Sequence, residues 1–252
     1  MSAVYIFIAT PWEARHVARL IAPRHGKLET GGRLTGIIGP VSVEMFVCGA
    51  GPQAAAAAAQ RALLGRAVSE KPGMVLVAGL CGALSPRFSE GTLLAYTRCI
   101  LRPGDEECIP VPLAAPLIAQ LIQAGVACEP AVGVTDSRVA ASCSEKTELA
   151  DSGADVVDME SHPILQAARA AGVDCVVLRA VSDSAAMSLP DFTAAFAPDG
   201  RLRRAAAARI ALGSPIRTAQ LVRASRRAMD KLASALEVFF SSGGLTGEPR
   251  DP

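Results

Sequence analysis

The chain has 252 residues, half of them hydrophobic, and its 25 basic and 24 acidic side chains leave a formal net charge of +1. This length and apolar content are enough to bury a full core and argue against disorder. The near-zero charge argues against a dedicated nucleic-acid binder, which usually carries a marked basic excess. The seven cysteines include no CxxC pair, so we expect buried free thiols in a reducing compartment rather than disulfides or a metal site.

The first ten residues lack the features of a secretory signal. No basic residue precedes the apolar run, and that run spans only residues 3–9, which is short for a signal peptide. Elsewhere no uncharged apolar stretch approaches the roughly 20 residues that cross a bilayer. We therefore expect a cytoplasmic protein.

Short β-rich runs alternate with alanine-rich helical stretches as far as residue 185. In chain order the predicted elements are strand 4–8, helix 12–21, strand 41–47, helix 53–64, strand 74–78, strand 92–101, helix 113–124, strand 131–135, helix 144–149, strand 156–158, helix 161–171 and strand 175–182. This alternation predicts a single α/β domain over residues 1–240, in which helices flank a central, twisted, mixed sheet.

Beyond residue 185 the pattern becomes helical, with predicted helices over 191–196, 201–212 and 215–240. Residues 241–252 hold three glycines and two prolines and are predicted to be a disordered tail.

Two predicted strands end in glycine-rich turns. The first, Gly49-Ala50-Gly51-Pro52-Gln53-Ala54, opens a helix and matches the loose dinucleotide-binding pattern. That pattern also requires an acid at the end of the next strand, which here ends Val77-Ala78-Gly79. An NAD-dependent oxidoreductase is therefore disfavoured, although it stays an alternative. The second turn, 79–83, is predicted to let the backbone approach a ligand closely, and tight strand-to-helix packing is the alternative explanation for both turns.

Charged residues follow three of the predicted strands. Glu13 comes after the first strand, Asp158-Met159-Glu160-Ser161-His162 after the sixth, and Arg179-Ala180-Val181-Ser182-Asp183 completes the last. In open α/β sheets, ligands bind outside the carboxyl ends of the strands. We therefore expect these carboxylates and the arginine to converge on one pocket.

With their order and spacing, these residues resemble the nucleoside phosphorylase and nucleosidase superfamily, which includes methylthioadenosine/adenosylhomocysteine nucleosidases. The resemblance covers residues 4–185 and rests on Glu13, the segment 79–83, Met159-Glu160 and the segment 179–183. It implies cleavage of the N-glycosidic bond of a small purine nucleoside, a 5′-modified adenosine. It also implies a homo-oligomer, with a dimer as the expected state, and no cofactor other than phosphate as cosubstrate in a phosphorylase.

Within the superfamily, three segments look most similar to the hopanoid-associated phosphorylases. They are residues 13–15, 157–162 and 188–190, and the basic C-terminal helix also resembles that group. This resemblance implies an alternative substrate, an adenosine linked to a lipid.

The superfamily resemblance assigns the chemical steps to carboxylates. Asp183 would protonate N7 of the departing purine, with a pKa raised by burial. Glu160 would accept hydrogen bonds from the ribose hydroxyls and favour the developing cation. Glu13 would activate water as a general base. The alternatives are that Asp183 or Glu160 caps a helix and that Glu13 and Arg15 are solvated first-turn charges.

The remaining predicted site residues position these groups or the substrate. Met159 would pack on the sugar, Arg179 would orient Glu160 or a bound anion, and Ser182 would support Asp183. The backbone segment formed by Gly79, Leu80 and Cys81 would line the substrate site. His162 is predicted to be structural.

The sequence departs from the phosphorolytic pattern at the second glycine turn. Phosphorolytic members hold phosphate there with an arginine and a serine, and the corresponding positions here are Val77 and Leu80. Neither side chain can donate a hydrogen bond. Hydrolysis is favoured, with phosphorolysis as a close alternative, because the amides of residues 49–51 could still bind phosphate. A non-catalytic nucleoside-binding protein is disfavoured because binding alone does not require a purine acid.

Residues 201–231 form a strongly basic C-terminal segment. They hold nine basic residues and one acid, a local charge of 9 − 1 = +8, and apolar residues recur at helical spacing. Such a helix would suit contact with an anionic membrane surface. The alternative is a helix that covers the sheet and presents a solvated basic face.

Overall fold

The computed structural model describes residues 3–64, 67–102 and 108–245. Its strands are β1 (Val4–Ile8), β2 (His25–Gly26), β3 (Arg33–Ile38), β4 (Val41–Val47), β5 (Met74–Ala83), β6 (Leu93–Leu101), β7 (Cys108–Pro110), β8 (Glu129–Thr135), β9 (Val156–Asp158) and β10 (Cys175–Asp183). Its helices are α1 (Pro11–Ala18), α2 (Pro52–Leu63), α3 (Ala114–Gln123), α4 (Cys143–Ala150), α5 (Ser161–Ala171), α6 (Arg204–Gly213) and α7 (Pro215–Ser241). The predicted α/β class, a mixed sheet flanked by helices, is confirmed.

β5 pairs with three other strands and lies between the two parts of the sheet. It runs parallel to β1 through Val77 and parallel to β10 along most of its length. At its carboxyl end it turns to β9, which is antiparallel to it. The pairings β9–β8, β8–β6 and β6–β10 return to the start, so five strands close a ring, while β1, β4, β3 and β2 extend the sheet.

The ring brings β9 and β10 to the two sides of one glycine. Gly82 of β5 pairs with Val157 of β9 and with Asp183 of β10, where the β10 register shifts after Val181. The last residues of β9 and β10 therefore flank the same residue of β5, although they are far apart in the sequence.

The prediction that Gly79–Ala83 forms a turn is wrong. These residues continue β5, and Gly79, Leu80 and Cys81 pair with successive residues of β10. The glycine instead allows two side chains to lie close to the strand backbone. A Cβ on Gly79 would be 2.7 Å from Nη1 of Arg179 and 3.0 Å from Oε1 of Glu13. The other predicted turn is present, with Gly49 and Gly51 at positive φ immediately before α2.

Three strands were not predicted, and one predicted helix is largely missing. β2 has two residues, β7 has three, and β3 is interrupted by Gly36 and has no regular alternation of buried residues. Within 191–196 only Thr193–Ala195 form a short 3-10 helix, and the Asp191 carboxylate accepts the amide of Thr193 at 2.8 Å. Such a side-chain bond to nearby backbone favours a turn over a longer helix.

The C-terminal half of α7 belongs to the core. Leu232, Leu236, Phe239 and Phe240 are fully buried there, and α7 packs against β10, β5 and α1. After the helix, Ser242 accepts a hydrogen bond of 2.6 Å from Gln120, and Leu245 packs on the core. Residues 246–252, the rest of the predicted tail, lie outside the described residues. Within the described ranges, no helix is both long and apolar enough to cross a membrane.

Candidate active site

A cavity of about 400 Å³ lies at the carboxyl ends of β1, β5, β9 and β10. This volume is within the usual range of small-ligand sites. Seven of the nine predicted site residues line it: Glu13, Leu80, Cys81, Met159, Glu160, Ser182 and Asp183. Gly79 and Arg179 are not among the lining residues and lie behind this surface.

Asp183 ends β10, and 3% of it is exposed. Its Oδ1 accepts a hydrogen bond of 2.5 Å from the hydroxyl of Ser182, which also lies 3.1 Å from the carbonyl of Cys81. A Cβ on Gly82 would come within 2.9 Å of Oδ2, so glycine leaves the space that the carboxylate occupies. Because no helix begins here, the alternative role as a helix cap is excluded.

Lys146 is a site residue that the sequence analysis missed. It comes from α4, is 1% exposed, and its Nζ lies 2.5 Å from Oδ2 of Asp183. The same ammonium donates to the carbonyls of Ser184 (2.7 Å) and Met187 (3.0 Å). In the sequence, Lys146 lies within the predicted helix 144–149. The spacing of apolar residues in so short a helix does not show whether the lysine is buried or solvated.

Glu160 occupies the residue before α5, but its side chain does not cap that helix. Its Oε1 accepts the amide of Gly51 at 3.0 Å, and its Oε2 lies 3.5 Å from Nη2 of Arg179. The cap is instead Asp158, whose Oδ1 accepts the amides of Glu160 and Ser161 at 3.0 and 2.9 Å. The alternative that Glu160 caps this helix is therefore wrong, and the residue lines the cavity instead.

Arg179 is buried and links the carboxylates from behind. Its Nη2 lies 3.4 Å from Asp158 Oδ2 and 2.9 Å from the hydroxyl of Ser161, and its Nη1 donates to the carbonyl of Leu80 at 3.2 Å. These contacts fit the prediction that Arg179 orients Glu160. Contact of the guanidinium with a bound anion in the cavity does not fit its position.

The charges in this cluster do not cancel. Glu13, Asp158 and Glu160 face one guanidinium, a formal charge of 1 − 3 = −2 if all are ionised. Burial raises the pKa of Glu160 to about 7; Arg179 opposes this rise, and Asp158 and Glu13 add to it. Burial acts in the same direction on Asp158, but Arg179 and the hydrogen bonds from Ser161 and Glu160 hold its pKa below the ordinary value. Glu160 is thus the carboxylate of this pair that can change its charge near neutral pH.

Glu13 is buried in the first turn of α1, whereas Arg15 is exposed. Its Oε2 accepts the amide and hydroxyl of Thr10 at 3.1 and 2.7 Å, which completes a capping box with Thr10. Its Oε1 accepts the amide of Leu80 at 3.1 Å. The alternative of a solvated charge is therefore wrong for Glu13, which the cap and β5 hold at the cavity wall.

The amides of the first glycine turn already have acceptors. Gly49 donates to the carbonyl of Ala9 at 2.8 Å, Ala50 to that of Gly200 at 3.1 Å, and Gly51 to Glu160. A phosphate cradle requires such amides to be available to the anion. Among the described lining residues, Arg138 is the one arginine or lysine.

The outer part of the cavity is apolar. Trp12 and Met159 contribute from the strand ends, and five further apolar side chains come from the segment after β10 and from α7: Leu189, Phe192, Phe196, Leu221 and Val222. Cys81 also lines the cavity, and burial raises the pKa of its thiol. His162 is fully buried and is not a lining residue, a position that fits the structural role predicted for it. No group of three metal-binding side chains lies together within the described residues.

Comparisons with solved structures place this fold among nucleosidases. The chain is similar to a mutant Helicobacter pylori methylthioadenosine nucleosidase with 5′-methylthioadenosine in its active site (15% identity, 96% of this chain and 99% of that chain covered, TM-score 0.74). It is also similar to the Streptococcus pyogenes S-adenosylhomocysteine nucleosidase (16%, 96% and 97%, TM-score 0.72) and to the H. pylori futalosine hydrolase (14%, 96% and 98%, TM-score 0.72). At these identities, the likeness establishes the fold.

Comparisons of the sequence with curated proteins and with family models gave different results. No curated protein matches the chain in sequence. A family model, described as the phosphorylase superfamily, matches residues 3–214, from the first strand to the end of α6. Because this match covers most of the sequence, the chain belongs to the phosphorylase superfamily.

Proposed function

We propose that this protein hydrolyses the N-glycosidic bond of a purine nucleoside, with a 5′-modified adenosine as substrate. The observation that carries the proposal is that Asp183 and the Glu13–Glu160 pair line one cavity. Cleavage of a nucleoside produces a cationic ribose and an anionic purine. The two sets of carboxylates are suited to these two parts of the transition state.

In the proposed reaction, the electron pair of the C1′–N9 bond moves to the purine as Asp183 gives a proton to N7. Ionised Glu160 accepts hydrogen bonds from the ribose hydroxyls and stabilises the positive charge at C1′. Glu13 takes a proton from the water that attacks C1′. The products are the free purine and the ribose derivative, and the reaction uses only side chains of the chain and water.

Water is the proposed nucleophile because the candidate phosphate ligands have other partners. The amides of Gly49, Ala50 and Gly51 are bound to protein oxygens, and the amide of Leu80 is bound to Glu13. Val77, at the other position that holds phosphate in phosphorolytic relatives, is a buried strand residue. Phosphorolysis through Arg138 is the competing possibility.

The apolar outer cavity supports a substrate with an apolar 5′ group. Methylthioadenosine, the ligand in the H. pylori structure, has such a group and is the natural first probe. A second candidate substrate is the lipid-linked adenosine of the hopanoid-associated resemblance. It is favoured by exposed Leu212 and Ile216, 80% and 74% accessible, which lie beside the basic residues of α6 and α7. Membrane contact through this region is part of that second proposal, whereas assembly into a dimer is proposed for either substrate from the superfamily resemblance.

The test is to incubate the protein with methylthioadenosine and with adenosine, with and without phosphate, and to measure free adenine by chromatography. Adenine release without phosphate, reduced at least about 100-fold in Asp183→Asn, is the expected result. Release only with phosphate would contradict hydrolysis and direct attention to Arg138. No release from either nucleoside would contradict the small-nucleoside proposal and leave the lipid-linked substrate to be tested.

A further inference from the structure

We propose that Lys146 is the proton source for Asp183, and this inference rests on the proposed function. In a general acid, the proton that reaches the leaving group must be on the acid before the bond breaks. The structure gives Asp183 a partner for this task. The ammonium of Lys146 lies 2.5 Å from Oδ2, on a residue that is itself 1% exposed.

The ammonium has three protons and three acceptors. Two protons go to the carbonyls of Ser184 and Met187, which belong to the segment directly after β10, and the third goes to Asp183. The two carbonyl bonds hold the nitrogen in place when the third proton leaves. After the transfer, the nitrogen lone pair points at the new carboxylic acid and can accept a hydrogen bond from it.

Among the described hydrogen bonds of the Lys146 ammonium, one partner is ionisable, and it is Asp183. Glu145, the preceding residue, instead accepts the amides of Ala141 and Ser142 in the capping box of α4. The carboxylate that the Lys146 ammonium touches is therefore the one at the end of β10.

The proton moves from Lys146 to the purine in two successive transfers. The Nζ–H bond of Lys146 breaks and an O–H bond forms on Asp183, which converts the ion pair into an amine and a carboxylic acid. That O–H bond then breaks as N7–H forms and the C1′–N9 electron pair moves to the purine. Asp183 returns to a carboxylate, Lys146 is left as a neutral amine, and a proton from solvent restores the ammonium after the product leaves.

A purely structural Lys146 would anchor the segment after β10 and have no part in leaving-group protonation. Two substrates separate these roles. Methylthioadenosine needs its purine protonated, whereas 4-nitrophenyl β-D-riboside releases a stable phenolate that needs no acid. The variants are Lys146→Arg, which keeps the charge and donors but does not release a proton at accessible pH, and Lys146→Gln. The matched control is Glu145→Ala, which weakens the cap of the same helix.

We expect both Lys146 variants to lower kcat for methylthioadenosine on the order of 100-fold, with nitrophenyl riboside cleavage within about threefold of wild type. Glu145→Ala should affect the two substrates equally and slightly. Equal losses on both substrates in the Lys146 variants, or full purine release by Lys146→Arg, would overturn the inference. Thermal unfolding identifies any variant that fails to fold, in which case the other variant carries the test.

The pH profile on methylthioadenosine gives an independent readout. A carboxyl group alone releases its proton at lower pH than an ammonium does. The alkaline limb of kcat should therefore move to lower pH in Lys146→Gln, and an unmoved limb would contradict the inference. A wild-type enzyme that releases purine from no nucleoside would instead refute the proposed function, and with it this step.

Discussion

Glu160 is subject to two opposing influences. Burial raises its pKa to about 7, while the Arg179 guanidinium 3.5 Å away and the amide of Gly51 lower it. The balance leaves a carboxyl group that ionises less readily than one in solution and changes its charge near neutral pH. A ribose that develops positive charge would relieve this, since the negative charge then has a counterion in the cavity.

This imbalance has a measurable effect on stability. Between the ordinary pKa of 4.5 and about 7, folded Glu160 binds more protons than the unfolded chain does, so its contribution to the free energy of unfolding falls as the pH rises. Over that interval the loss amounts to about 3 kcal/mol. We expect Glu160→Gln to be more stable than wild type above pH 7 by up to about this amount, with the difference vanishing below about pH 4.

Urea unfolding of both proteins across this pH range measures the difference. Glu237→Gln on the exposed face of α7 is the control for the loss of one negative charge. If Glu160→Gln lowers the free energy of unfolding equally at acidic and alkaline pH, ionisation of Glu160 does not destabilise the fold, and the prediction is wrong. Because the variant lacks the charge that the proposed reaction needs, its purine release should be lost even where it is the more stable protein.

At the residue scale, the sequence predicted the site residues that lie at or just after the ends of strands. Asp183, Glu160 and Glu13 were found because strand ends in α/β sheets converge, and the pattern locates those ends. Lys146 was not found, because its position depends on how α4 packs against the segment after β10. The sequence predicts no role for Asp158, because its function as cap and Arg179 partner depends on hydrogen bonds that the sequence does not encode locally.

At the element scale, α7 changes its surroundings along its length. Leu221, Val222 and Ser225 line the cavity. From Ala228 onward, the apolar face of the helix is buried against the sheet. Its first turns are largely exposed, with Ile216 74% accessible. The helix therefore contributes to the cavity wall near one end and to the core at the other.

We expect Leu221→Ala to raise KM for methylthioadenosine about fourfold, which is the effect of losing the burial of about one methylene group. The KM for adenosine should stay unchanged. The physical reason is that only methylthioadenosine has an apolar 5′ group to contact this wall. Steady-state kinetics on both nucleosides provide the measurement. Ile216→Ala, on the same helix but outside the cavity, is the control, and an equal rise for both substrates would place Leu221 away from the 5′ side.

The elements that the sequence predicted well are those with strong periodicity. The helix predicted over 161–171 and the strand predicted over 41–47 have the observed bounds. β2 was missed because its two residues are exposed, and β3 was missed because its buried residues do not alternate regularly. The segment Gly79–Ala83 was misassigned because glycine suggests a turn, whereas here it allows Arg179 and Glu13 to approach the strand.

At the scale of the whole molecule, the sheet depends on a helix that follows all of its strands. Phe239 and Phe240 are fully buried with ring centroids 5.1 Å apart. We expect Phe240→Ala to lower the free energy of unfolding by about 3–5 kcal/mol, because it leaves a cavity in a packed core. Leu212→Ala, at a position 80% accessible, should change it by less than about 0.5 kcal/mol. Urea unfolding of the two variants tests the difference, and similar values for both would mean that α7 is not part of the core.

The closed ring of strands could not be predicted from the sequence. The alternation of strands and helices predicts a mixed sheet, but it does not specify that β5 pairs with β1, β9 and β10. Those pairings join residues between about 70 and 100 positions apart, and periodicity within a window of a dozen residues carries no information about them.

The family match ends at residue 214, and α7 begins at residue 215. The carboxylates proposed to react thus lie inside the segment that defines the family, while part of the cavity wall lies beyond it. If the proposed function is right, chemistry and selectivity should be separable in this chain. Exchange of the early turns of α7 should then change which nucleoside is accepted, provided that the buried face from Ala228 to Phe240 is kept to preserve the fold.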